Sequence, residues 1–493
     1  MKRSDNLVLN CSKSDYVMNK MKNILKIIII LLIFCNNSFA QSVTWQRYYD
    51  VNNSSDAGLD VLQTFDGGYA ICGYGGGSLL LMKINYLGFP EWQRVIPDSN
   101  VGYRANSFQQ TNDSGFIITG DVRNDSLLLL KADKSGYVEW KKTFTNPSGQ
   151  SRGYSIRITN DNGYIISGDI FYFSILGIKA YVLKTDSVGN LQWSKEYDSL
   201  SSYDIIQTLD NNYYFVGGTS IKKINSIGNL IWVKRLGTSI IGASFFNVGD
   251  ILQDSSNALY ISGGIAINGG NTFNMYLGKT DTSGTIIWEN YYYPNSSCSD
   301  FSKTIIGDIV MVGSALSDSI NPTVNVAIVK INKYGNEIFS KRINSTTNID
   351  GDGNAIKLTS DNGYIITGGT EYGGSSSRTN VLGIKTDSLG NTTTILDIKL
   401  NTPISLKNFI LEQNYPNPFN PLTTIKYTLK KMSDVKLFFY DILGNEINKI
   451  ILINQNSGSF SYEFNGINLS TGIYFYRFET DNFTETKKML LIK

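Results

Sequence analysis

One spacing, Gly-x-x-x-Trp, recurs along the chain and constrains its fold more than any other feature. Gly88 precedes Trp92, Gly136 precedes Trp140, Gly189 precedes Trp193, Gly228 precedes Trp232 and Gly284 precedes Trp288. In a sixth copy Gly335 precedes Phe339, and in a seventh Gly390 precedes Thr394. The intervals from Trp92 onward are 48, 53, 39, 56, 51 and 55 residues. Periods of this length belong to solenoids, propellers and arrays. Each copy has a second phrase upstream: TFDGGYAICG (64–73), TNDSGFIITG (111–120), TNDNGYIISG (159–168) and TSDNGYIITG (359–368) are the clearest. TLDNNYYFVGG is looser, and LQDSSNALYISGG and IIGDIVMVGS are degenerate, which makes seven.

Each unit reads as four short strands. YSIRIT is followed by Asp-Asn-Gly, a turn that needs positive φ, and YIISG returns as the second strand. AYVLKTD and LQWSKEY, joined by a Gly-Asn turn, supply the third and fourth. Helical periodicity is nearly absent. Seven four-stranded units predict an all-β chain built on a seven-bladed β-propeller, in which stacked blades bury sheet faces that one blade alone leaves wet. The aromatic series Trp92, Trp140, Trp193, Trp232, Trp288 and Phe339 is expected to peg neighbouring blades together. A Trp buries roughly 150–250 Å², so truncation to Ala is expected to cost about 3–5 kcal/mol. WQRYYD at 45–50 is the end of a repeat without its beginning, and the seventh repeat lacks its Trp. The expected repair places Trp45 on the outer strand of the seventh blade, which ties first to last and removes two sheet edges.

Composition narrows the chemistry. Of 493 residues, 41% are hydrophobic and 17% charged, as in a folded chain, and the net charge is +2. No basic run stands out in the mature part, so nucleic acid is not an expected partner. There is no His, which excludes Ser-His-Asp and Cys-His catalysis and His metal ligands. Cys11, Cys35, Cys72 and Cys298 form no CxxC pair, so neither zinc nor another cofactor is expected. Cys72 falls in a predicted buried strand and Cys298 in a predicted loop, with a disulfide between them as the alternative to two free thiols.

Both chain ends carry an address. MKNILKIIIILLIFCNNSFAQ (21–41) has a basic start, a short apolar run and small residues at Ser38 and Ala40. That is a secretory leader with cleavage expected between Ala40 and Gln41. The run is shorter than the about 20 residues of a membrane span, and no later stretch qualifies. Cys35 leaves a lipoprotein alternative open, although Phe34 precedes it. Residues 1–20 are polar, and Met21 is the candidate start. The propeller is expected over 41–397 and a linker over 398–410. Beyond it, Pro416, Pro418 and Pro421 exclude helix and central strand. The alternating strands that follow predict a small antiparallel sandwich over 411–493.

Two resemblances follow from these phrases. KTDSVGNLQW resembles the tryptophan-docking motif of propellers related to quinoprotein dehydrogenases, over about ten residues per blade. It implies the architecture; the vicinal Cys pair of many such dehydrogenases is absent here. YPNPFNP (Tyr415, Pro416, Asn417, Pro418, Phe419, Asn420, Pro421), YDILGNEI, LSTGIYFYRFE (with Gly472 and Tyr474) and KKMLLIK (with Lys487 and Lys488) look like the type A sorting domain of type IX secretion substrates. That resemblance implies an Ig-like sandwich read by the type IX secretion machinery. It also implies passage through the outer membrane of a Gram-negative bacterium, and a protein held at the cell surface or released.

For the propeller itself two readings stand. The first is a non-catalytic binding or structural module for extracellular glycan or protein, for which 30 Tyr offer contact surface. The second is a carboxylate-based hydrolase or lyase acting on polysaccharide, which needs two placed acids and no His. The repeated Asp66, Asp113, Asp161, Asp210 and Asp361 fall in turns and read as Asx-type caps. DGDGN at 350–354 has calcium-like spacing at Asp350 and Asp352, but no Glu completes the loop.

Overall fold

A computed structural model describes residues 43–393 and 409–493, apart from 52–53, 97–101, 123–125, 148, 174–176, 199–200, 237–242, 268–271, 317–323, 344–350, 372–378, 430–431, 443 and 481–482. The leader with Ala40 and Gln41, Cys11, Cys35, Asp350, Thr394 and most of the linker lie outside the described residues. The chain divides into two compact units, Met1–Leu400 and Asn401–Lys493. The described residues contain strands and turns and no helix.

In the first unit they form seven four-stranded antiparallel sheets. Blades 1 to 6 occupy 56–96, 103–145, 149–197, 204–235, 243–294 and 296–343, each with its strands in chain order from the inside outward. Blade 7 takes three strands from 351–386 and its fourth from Trp45–Tyr49. Each blade touches the next, and blade 7 touches blade 1, so the ring is closed. The closing strand runs antiparallel to Thr379–Thr386, with Trp45 opposite Lys385 and Tyr49 opposite Val381. The middle strands are buried on both faces and read as unbroken apolar runs, as in Leu79–Met82 and Leu127–Leu130. The outer strands alternate between half-buried and exposed, as Val138–Thr145 does.

The docking aromatics explain the repeated phrase. The Gly and the Trp of one phrase do not touch each other; each Trp rests on the Gly of the following blade. A Cβ on Gly136 would meet the Trp92 ring at 2.5 Å, one on Gly189 the Trp140 ring at 2.8 Å, and one on Gly228 the Trp193 ring at 2.8 Å. The series continues with Trp232 on Gly284, Trp288 on Gly335 and Phe339 on Gly390, and Trp45 closes it on Gly88. All seven glycines hold φ between +73° and +89°, so each is set both by the turn and by the ring lying on it. Tyr49, Tyr197 and Tyr292, four residues after their Trp, donate their hydroxyls to the carbonyls of Gly88, Gly228 and Gly335 at 2.8, 2.6 and 2.7 Å. The docking rings differ in burial. Trp45 is 3% exposed, whereas Trp92, Trp140, Trp193, Trp232 and Trp288 are half-buried.

The turn acids do more than cap. Asp161 accepts from Gly163 N at 3.1 Å and from the Thr159 hydroxyl, and it also binds Lys184 Nζ at 2.9 Å. That lysine side chain is 4% exposed and gives a further hydrogen bond to Thr185 O at 2.8 Å. The pair recurs as Lys83–Asp66 (3.1 Å), Lys131–Asp113 (2.9 Å), Lys223–Asp210 (3.2 Å) and Lys385–Asp361 (2.8 Å). It lengthens to 3.7 Å for Lys279–Asp254 and 3.9 Å for Lys330–Asp308. The hydrogen bonds to Lys131 and Thr111 outweigh desolvation and hold Asp113 down to about 2; Lys184 and Thr159 do the same for Asp161.

The second unit is a two-sheet sandwich. Phe409–Leu411, Leu422–Leu429 and Gly458–Asn465 form one sheet, and Ser433–Tyr440, Glu446–Gln455, Gly472–Thr480 and Phe483–Leu491 the other. Phe464 of the first stacks on Phe439 of the second at 4.4 Å, inside one shared core. Residues 409 and 410, read from sequence as linker, belong to this sheet.

Because Trp45 is the buried member of the set and closes the ring, Trp45→Ala is expected to cost about 3–5 kcal/mol. Trp193→Ala, with one edge already wet, is expected to cost less. Urea unfolding of the two variants measures the difference, and equal losses would contradict a special role for the closing strand.

Candidate functional site

The innermost strands line a central channel, and a shared irregularity sets what they point into it. Strand pairing slips by one residue at Gly58/Asp60, Ala105/Ser107, Gly153/Ser155, Val248/Asp250, Cys298/Asp300 and Gly353/Ala355. Such bulges re-aim side chains. They also account for the Gly that ends the phrases YAICG, FIITG and YIISG. A Cβ on Gly120 would lie 1.7 Å from Arg104 O, and one on Gly168 1.8 Å from Arg152 O.

The residue after the bulge is an acid in blades 1, 5 and 6, namely Asp60, Asp250 and Asp300, and Asp204 holds the same register in blade 4. Two residues further on, blades 3 and 7 place Arg157 and Lys357. All six line a cavity of about 920 Å³. Three of the acids bridge blades. Asp60 accepts from Phe108 N at 3.2 Å and Ser107 Oγ at 3.1 Å. Asp204 accepts from Ile251 N at 3.1 Å, Ser155 Oγ at 2.6 Å and Arg157 Nη2 at 2.7 Å. Asp300 accepts from Ile356 N at 2.8 Å and Lys357 Nζ at 2.5 Å. Asp250 is different. Its hydrogen bond among the described residues comes from Ser262 Oγ at 3.4 Å.

The electrostatics follow from this placement. Desolvation, then the carboxylates of Asp300 and Asp204, push the Asp250 carboxyl well above the usual range, against Lys357 and Arg157. Desolvation also raises Asp60. Burial works to lower Lys357, but Asp300 and Asp60 outweigh it and raise that lysine. The Lys357 side chain keeps 38% exposure to the channel interior, so the cation is enclosed but wet. Tyr154 and Tyr203, also in the lining of this cavity, pack at 5.5 Å. The buried Asp169 anchors them: Arg152 grips it with two 3.0 Å hydrogen bonds, and Tyr154 Oη and Ser201 Oγ donate to it at 3.1 and 2.6 Å.

Among the described residues no three Asp, Glu or Cys are placed to hold a metal ion. Asp352 accepts from Ser314 Oγ at 2.8 Å. Cys72 and Cys298 are free thiols, and burial raises both, the inert state for cysteine. Cys298 lies in the strand Ser296–Lys303 and not in a loop, because blade 6 begins earlier than its degenerate phrase suggests.

The tail brings its two end motifs together. Phe419 is buried; its N donates to Leu490 O at 2.9 Å and its O accepts from Ile492 N at 3.0 Å. Asn417 Oδ1 accepts from Leu490 N at 2.9 Å. Pro416 O accepts from Asn414 Nδ2 and Thr423 Oγ1. Tyr415, at 80% exposure, and Pro416, Pro418 and Asn420 face outward, while Pro421 is half-buried. Gly472 pairs with Leu491 and Tyr474 with Met489; the Tyr474 hydroxyl donates to Ser470 O at 2.7 Å. Lys487 Nζ meets Glu485 at 3.1 Å, and Lys488 O accepts from Gln413 Nε2 at 2.8 Å.

Asp250 gives a test with a definite sign. Its folded pKa lies above the unfolded value of about 4, so the folded state holds the extra proton between the two. Stability must therefore fall as pH rises through that window. Asp250→Asn is expected to flatten this part of the stability profile and to be the more stable form at its upper end, by denaturant unfolding at a series of pH values. A variant profile parallel to the parent's would refute the assignment.

Several solved structures share part of this shape. A protein of unknown function from Bacteroides caccae aligns with 55% of this chain and 92% of its own (TM-score 0.37, 11% identity). The Dos1 propeller aligns with 72% and 84% (TM-score 0.42, 9% identity). PorZ of Porphyromonas gingivalis, described as an essential surface component of the type IX secretion system, aligns with 88% and 93% (TM-score 0.26, 9% identity). The propeller assignment rests on the sheet pairing described above and not on these alignments. No curated protein sequence matches the chain. Residues 413–493 match the family model of the secretion system C-terminal sorting domain. The chain is thus a β-propeller protein carrying a type IX sorting tail, sent to the cell surface or the extracellular space.

Proposed function

We propose that the propeller is a non-catalytic binding module that takes an extracellular glycan or protein at its central channel. The carrying observation is the use of the channel acids. Asp60, Asp204 and Asp300 each accept a backbone N–H from the next blade, and each is also paired with Lys357 or Arg157. Acids held this way shape a polar recess and keep the ring together. With Tyr154 and Tyr203 in its lining, the recess offers the mix of aromatic and hydrogen-bonding groups that suits a polar ligand. The leader ending at Ala40 would take the chain across the inner membrane, and the tail would engage the type IX machinery in a mature protein that begins at Gln41.

Asp250 favours a second reading. A carboxyl whose hold on its proton is strengthened by burial and by nearby carboxyl groups suits the acid half of a glycoside-cleaving pair. The two readings separate in one experiment on the secreted chain, incubated with extracellular polysaccharides while binding and released reducing ends are both followed. The binding reading expects retention that Tyr154→Ala weakens, with no new reducing ends. Release of reducing ends that disappears in Asp250→Asn would replace it with the hydrolase.

Export has its own test. Cells making the full chain are expected to place it on the surface or in the medium, and cells making a chain that ends at Asn408 to retain it in the periplasm. Fractionation and intact mass read both outcomes, and a mature mass starting elsewhere than Gln41 would refute the cleavage site.

A further inference from the structure

Blade 5 departs from the repeat at several positions, and the departures meet at one place. Its inner turn has Ser256 where Asp161 stands in blade 3, and its outer strand has Ile287 where Lys184 finds Gln192. Lys279 has thereby lost the close carboxylate of its equivalents. It lies 3.7 Å from Asp254 and gives its hydrogen bond to the Tyr260 hydroxyl at 2.8 Å. Blade 6 departs as well. Trp45, Trp92, Trp140 and Trp193 each meet an aromatic ring at the start of the next blade's second strand, namely Tyr69, Phe116, Tyr164 and Tyr213, at about 6 Å. Trp232 and Trp288 have Leu259 and Ile309 at that position, and their rings meet Tyr214 and Tyr260 of their own blades. A cleft of about 560 Å³ opens at the second of these places, lined among others by Asn257, Lys279, Asp281, Trp288, Lys333 and Tyr334.

The lining has a definite chemistry. Two aromatic rings stand in it, and Tyr334 is 69% exposed. Two lysines, Lys279 and Lys333, and one carboxylate, Asp281, are in the lining, and Asp254 stands beside Lys279. The carboxylate, Asp281, is already occupied by Ser283 N and Oγ and by Thr285 N at 2.7 to 2.9 Å. Aromatic faces match the C–H face of a pyranose, and two lysine ammonium groups in one cleft match one anionic substituent. We propose that this cleft binds an acidic sugar unit of an extracellular glycan, a uronic acid in its simplest form, with the ring against Trp288 and Tyr334 and the carboxylate between Lys279 and Lys333. The proposal rests on reading the propeller as an extracellular binding module, and it adds a second site on a different face of the fold.

The test uses calorimetric titration of the full mature chain with a uronic-acid trisaccharide, the neutral hexose trisaccharide of the same linkage, and tri-glutamate. The acidic sugar is expected to bind more tightly than the other two. Affinity is expected to fall about tenfold or more in Lys279→Gln and in Tyr334→Ala, and to weaken with added salt. Tyr334 is exposed, so its variant tests the site without a folding risk; the melting temperature checks Lys279→Gln. Equal binding of tri-glutamate would overturn the sugar assignment. Tight binding of the acidic sugar that ignores both cleft variants but falls in Tyr154→Ala would overturn the cleft and leave the channel reading in place. Binding of the neutral sugar alone, or of no sugar, would overturn the cleft proposal, and in the last case the glycan half of the functional reading with it.

Discussion

An indole lying flat on a glycine of the neighbouring blade is the contact on which the ring depends. It is made six times by Trp and once by Phe339, with one aromatic and one glycine per blade. The glycine must accept a left-handed backbone and bring no side chain under the ring. The ring must be large enough to span the gap between two twisted sheets. Blade 6 satisfies this with Phe339, a smaller ring on the same kind of turn. The tyrosine hydroxyls that reach Gly88, Gly228 and Gly335 fasten the same turn from a second direction.

Much of this was legible because the repeat wrote it out. Counting Trp and turn glycines yields seven blades, and the stray WQRYYD yields the closing strand. Two things stayed hidden. The buried lysines were missed although they are regular: LKAD, LKTD, GKTD and IKTD carry them ahead of four outer turns, and MKIN, KKIN and VKIN ahead of the other three. Their partner acids lie about twenty residues earlier, across a hairpin, and a local reading sees only the cap.

The channel was hidden for a different reason. Its acids sit in phrases such as LDVLQ, YDIIQ and GDILQ, each of which looks like an ordinary inner strand. Only ring closure brings Asp60, Asp204, Asp250 and Asp300 around one axis with Arg157 and Lys357. The visible signal was an acid at a fixed offset before the inner turn in four of seven repeats. The cleft at blade 5 shows the converse: the two phrases that matched the repeat least mark the place where the surface is least regular.

The strand that completes blade 7 carries a consequence for how the molecule is made. Trp45 and its partner Lys385 stand roughly 340 positions apart in the chain. Synthesis delivers the closing strand first and its sheet last, so six blades can assemble while that strand waits with its hydrogen-bonding edge unpaired. Contacts of such sequence separation are slow to form, and an unpaired strand edge is open to the wrong partner. Ring closure is therefore a late event by construction, and a nascent chain interrupted anywhere before Thr379 exposes its first strand with nowhere to dock.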